Sequence, residues 1–69
     1  MDSEVIFVVE EAPAGGYTAH ALGHAIFTEA ESWPELRANL RDAVGVHFDD
    51  GERPKMIRIH FVCDEVIAV

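Results

Sequence analysis

Five consecutive apolar residues, Val5-Ile6-Phe7-Val8-Val9, stand between Glu4 on one side and Glu10-Glu11 on the other. The run is rich in β-branched side chains and is too short for an independent helix. Successive strand residues point to opposite faces, so an unbroken apolar run describes a strand covered on both faces. It therefore belongs in the middle of a sheet. Ala12 to Gly16 follows, with Pro13 and the Gly15-Gly16 pair, and reads as a turn. Tyr17 to Leu22 reads as a second strand and Ala25 to Thr28 as a third, with Gly23 marking the bend between them. Two hairpin connections in succession make all three strands antiparallel to their sequence neighbours.

Ser32-Trp33-Pro34-Glu35 signals the start of a helix. Ser32 can accept from the first free amides, Glu35 can answer it as a capping box, and Pro34 lies in the first turn, where its missing N–H is harmless. Trp33, Leu36, Leu40, Ala43, Val44 and His47 recur at spacings of three and four and form one apolar face, with Asn39 and Asp42 opposite. Gly45 weakens the helix by about 1 kcal/mol, and its end is expected near Phe48. A polar loop, Asp49 to Lys55, leads to Met56–Val62, where Ile57, Ile59 and Phe61 alternate with Arg58 and His60, as in a half-buried strand. A helical crossover returns the chain parallel to the first strand. The expected fold is α+β: β-β-β-α-β, one sheet of order 3-2-1-4, and one helix on one face, as a single domain over residues 1–69.

One helix covers one face only. Ile6 and Val8 point away from it, and Val66-Ile67-Ala68-Val69 adds four more apolar residues after Cys63-Asp64-Glu65. A chain of 69 residues buries a modest share of its surface, and its single cysteine, Cys63, excludes an internal disulfide. A second copy is the economical cover, so Ile6, Val8, Val66, Ile67 and Val69 are the candidate oligomer interface; the alternative is that the tail folds back on its own sheet. A homodimer or higher homo-oligomer is expected.

Thirteen acidic residues against five basic ones give a net charge of −8. The distribution is uneven: seven acidic residues precede Arg37, and no Lys or Arg does. Such a surface repels phosphate backbones and suits a basic protein partner, so no direct nucleic-acid binding is expected. The start Met-Asp-Ser-Glu lacks the basic region of a secretory signal, and no apolar run approaches the length of a bilayer span. A cytoplasmic location without membrane association is expected.

The residues argue against catalysis. His20, His24, His47 and His60 form no recognised metal-binding spacing, and His60 and Cys63, three apart on an extended strand, point to opposite faces. Glu10, Glu11, Glu29, Asp49 and Asp50 fall at element ends, whereas a two-metal nuclease needs carboxylates converging near the sheet centre. No enzyme activity, metal or cofactor is expected. Arg37 and Arg41, one helical turn apart, read as a solvated or salt-bridged stripe. Tyr17, just past the hairpin turn, is the better exposed aromatic candidate for partner contact, and Trp33 is expected to pack on the sheet.

Val5 to Val9, the turn Gly15-Gly16-Tyr17, and the strand leading through Ala21-Leu22-Gly23 resemble the opening hairpin of the HicB family of antitoxins. The segment from Glu29 through Ser32-Trp33-Pro34-Glu35 to Asn39-Leu40-Arg41-Asp42-Ala43 resembles that family's helix. The resemblance covers residues 4–48, and Met56–Val69 is similar to the last strand of short, solitary HicB-like proteins. It implies a degenerate RNase H-like fold without nuclease activity that neutralises a small basic, HicA-like toxin which cleaves mRNA. The family's C-terminal DNA-binding module has no counterpart here, so transcriptional repression is not expected. Glu10, Glu11, Tyr17, Glu29 and Glu31 are the candidate partner-binding residues. The alternative is a solitary oligomeric HicB-like domain with a structural or small-ligand-binding role.

Overall fold

A computed structural model describes residues 4–69. The elements are β1 (Glu4–Glu11), β2 (Tyr17–Ala21), β3 (Phe27–Ala30), α1 (Trp33–His47) and β4 (Met56–Val62). They form a four-stranded sheet of order β3-β2-β1-β4. β1 pairs antiparallel with β2 and parallel with β4, and β2 pairs antiparallel with β3. The α+β class, the strand order and the central place of β1 are as the sequence predicts.

Alternation along β1 divides the sheet. Val5, Phe7 and Val9 are buried, and with Ala19, Ala21, Ile26, Ala30, Leu36, Leu40 and Val44 they make the core between sheet and helix. The apolar run also predicts cover on the second face, and there the structure differs: Ile6 and Val8 are only half-buried. Their shelter comes from cross-strand neighbours, since Val8 lies between His20 and His60, and Ile6 lies beside Arg58. No second layer covers this open face among the described residues.

The helix starts as its sequence implies, with one displacement. The hydroxyl of Ser32 accepts from the Glu35 amide at 3.3 Å, but the Glu35 carboxylate accepts from the amide of Glu31 (3.1 Å), one residue before the cap. At the other end Phe48 donates its amide to the Val44 carbonyl. Arg53 reaches back from the following loop to the Gly45 carbonyl at 3.0 Å while pairing with Asp50 at 3.1 Å, which ties the helix end to the loop.

Three sequence expectations need correction. The third strand is Phe27–Ala30, two residues later than Ala25–Thr28. The Ala21 amide donates to the Ile26 carbonyl, so Leu22–Ala25 makes a wide loop through Gly23 (φ 80°), and pairing begins only at Phe27 opposite His20. The second strand correspondingly ends at Ala21, not Leu22. Asn39 does not lie opposite the packed face: it is half-buried, and its amide donates to the Glu29 carbonyl at the end of β3.

Beyond Val62 the chain leaves the sheet. Val66, Ile67 and Val69 are 95 %, 75 % and 129 % exposed. The extents of 52 × 23 × 18 Å and a radius of gyration of 13.5 Å record this projection, since a chain of this length packed as a sphere would have about 11 Å.

Candidate functional site

The hairpin turn and the start of the helix meet at one end of the sheet. Gly15 and Gly16 adopt φ of 101° and 81°, which lets the Ala12 amide bond the Gly16 carbonyl and the Gly15 amide bond the Ala12 carbonyl. Tyr17 then lies opposite Glu11 on β1 and Ala30 on β3. Glu10, Thr18 and Glu29 form the next row, on the open face. Glu31 and Glu35 follow at the helix start, so five carboxylates gather where the sequence scatters them over 26 positions. Tyr17, Glu29, Glu31 and Glu35 line a concavity of about 610 Å³ with the turn residues Ala12, Ala14, Gly15 and Gly16.

All five candidate partner residues therefore lie at this end. Glu10, Glu11, Glu29 and Glu31 are exposed. Tyr17 is less free than its position suggested: it is half-buried, edge-on to Trp33 (centroids 5.3 Å) and to Phe61 (6.1 Å), with Trp33 and Phe61 5.7 Å apart. Such edge-to-face packing joins β2, β4 and the helix start in one cluster. Glu35, read from sequence only as a cap, also belongs to the concavity, and its place three residues after Ser32 was the signal for it.

A second feature was not legible at all. A groove of about 550 Å³ runs between the helix and β4, floored by Leu40, Val44, Pro54, Ile57 and Ile59 and rimmed by Arg37, Arg41, Arg53 and Lys55. Four of the five cations of a strongly acidic chain thus converge on one groove. The fifth, Arg58, sits on the opposite face against Glu4 (3.1 Å), whose carboxylate accepts its hydrogen bond and so pushes the guanidinium pKa further up. Among the described residues Arg37, Arg41 and Lys55 have no ion-pair partner, and the Arg37–Arg41 stripe, expected to be solvated or salt-bridged, is one wall of a larger feature.

The histidines separate into pairs. His24 and His47 stand 5.6 Å apart, edge-on, and both pack on Phe48 at 4.8 and 4.9 Å. His20 and His60 flank Val8 on the open face. Among the described residues no three His, Cys, Asp or Glu side chains are grouped to hold a metal ion, and no helix is long and apolar enough to cross a membrane. The candidate interface residues also divide: Ile6 and Val8 lie on the open face, whereas Val66, Ile67 and Val69 lie on the projecting tail.

The chain is similar to a UPF0150 protein of Thermotoga maritima, 41 % identical over 66 residues that cover 96 % of this chain and 93 % of that protein. It belongs to the UPF0150 family. A second UPF0150 protein, from Archaeoglobus fulgidus, is 60 % identical over 52 residues, covering 75 % and 77 % of the two chains. No family model matches this UPF0150 chain, and no solved structure matches it.

Proposed function

We propose that this UPF0150 domain is a non-catalytic protein-binding module that captures a small basic, mRNA-cleaving toxin at its acidic end, as a HicB-type antitoxin does. The observation that carries the reading is the gathering of Glu10, Glu11, Glu29, Glu31 and Glu35 at one end of the sheet, where Glu29, Glu31 and Glu35 share a concavity with the half-buried Tyr17. Complementary charge steers a basic partner and fixes its orientation, while a partly buried tyrosine supplies rigid contact area. The domain would act in the cytoplasm as a homo-oligomer, blocking the toxin by occupying its RNA-binding surface.

The test is to mix the full chain with purified small basic RNase toxins and to follow both mass, by light scattering, and cleavage of a reporter mRNA. A stoichiometric complex with loss of cleavage is expected, and Glu10→Lys with Glu29→Lys should abolish both. A chain that leaves the mass and the cleavage of every such toxin unchanged would refute the reading. The second reading, a solitary oligomeric domain, is favoured by the projecting apolar tail and by the basic-rimmed groove.

A further inference from the structure

β4 is the last strand of the sheet and its outer edge is unpaired among the described residues. An exposed edge is a template for another strand. Beside it lies the groove floored by Ile57 and Ile59 and rimmed by Arg37 and Arg41. The same chain carries a segment of matching chemistry with no seat on its own fold: acidic Asp64-Glu65, then Val66-Ile67-Ala68-Val69.

We propose that Met56–Val69 of one copy pairs antiparallel with the same segment of a second copy, each tail extending β4 and lying in its partner's groove. A two-fold axis makes the contact self-complementary and joins the two sheets edge to edge. Strand alternation sets the register. Ile57, Ile59 and Phe61 face the helix side, and the same parity continued along the tail brings Glu65, Ile67 and Val69 to that side. The pairing that seats both apolar tail residues on the floor sets Val69 opposite Ile57 and Ile67 opposite Ile59. Glu65 then meets Phe61, and Trp33 packs edge-on against Phe61 at 5.7 Å, so Glu65 arrives about one helical turn from Arg37. Cys63 lies opposite its own counterpart at the axis. The inference stands independently of what the acidic end captures.

The full chain should sediment as a dimer. Ile67→Asp with Val69→Asp changes only exposed side chains, so the far-ultraviolet circular dichroism should not change, while dimer affinity should fall on the order of 100-fold. Arg37→Glu with Arg41→Glu should weaken the dimer, and added salt should weaken the native dimer in the same direction. Mild oxidation should link the chains through Cys63, because directly opposed antiparallel residues stand about 4.5–5.5 Å apart at Cα, inside the ~4.4–6.8 Å that a disulfide spans. Any of three results overturns the proposal. One is a monomer at all concentrations. Another is a dimer that survives the tail substitutions but is lost on Val8→Asp, which puts the interface on the open face. The last is a monomer that binds decanoate in the groove and loses it with Arg37→Glu, which assigns the groove to a small amphipathic anion.

Discussion

Gly16 and Gly23 share one backbone conformation, φ +81° and +80°, and differ in what surrounds them. A Cβ on Gly23 would meet nothing within 4 Å, whereas one on Gly16 would stand 2.5 Å from the Ala30 carbonyl oxygen and 3.2 Å from the Glu31 Cα. Gly23→Ala therefore isolates the backbone term. The left-handed conformation costs an L-residue about 1–2 kcal/mol, partly offset by roughly 0.4–1 kcal/mol from a stiffer unfolded chain. A net loss near 1 kcal/mol is expected. Gly16→Ala carries the same term and must also displace main chain at the β3 end, where Ala30 pairs with Tyr17. Loosening one or two ladder hydrogen bonds adds about 1–2 kcal/mol, for a total of roughly 2–3 kcal/mol. Urea unfolding followed by circular dichroism, at one fixed protein concentration because any dimer makes stability concentration-dependent, measures both. In a domain of this size each kcal/mol lowers the melting temperature by about 4–8 °C. If the two variants are equally stable to within ~0.5 kcal/mol, the level at which distant sites are taken as independent, the tight approach of the turn to β3 is not a real constraint and the reasoning fails.

Leu40 is 1 % exposed and packs between Leu36 and Val44 against the sheet; Leu40→Ala should cost about 2–5 kcal/mol, read as a large drop in the urea midpoint. Ser32→Ala removes the acceptor of the Glu35 amide and should cost about 0.5–2 kcal/mol without changing the fold, and Ser32→Asp should restore it. A Ser32→Ala variant as stable as the original would mean that solvent satisfies that amide equally well.

The fold was largely legible because its determinants are local. The Val5–Val9 run, the Gly15-Gly16 turn and the Ser32–Glu35 cap each encode an element within a few residues, and short connections restrict how such elements join. β3 starts two residues later than the sequence predicts because the apolar Ala25-Ile26 step looks like strand. In fact Ile26 is buried from a loop, held by the Ala21 amide bonding its carbonyl.

The acidic end was partly visible, since the bias of the first 36 residues is plain in the sequence and four of its five carboxylates were singled out. Their convergence depends on the β1-β2-β3 register, which brings Glu10 and Glu29 to either side of Thr18. Tyr17 looked exposed because its burial is produced by Trp33 and Phe61, 16 and 44 positions away in the chain.

By itself, then, the sequence determined the elements, their order, the central strand and the charge imbalance, all properties of neighbouring residues or of simple chain connectivity. Tertiary structure alone decided that Arg37 and Arg41 from the helix meet Arg53 and Lys55 from the loop around a floor shared by helix and β4. The physical reason is that a groove belongs to two elements at once. Its shape is set by how the helix lies across the parallel β1–β4 pair, and no periodicity along one segment records that angle.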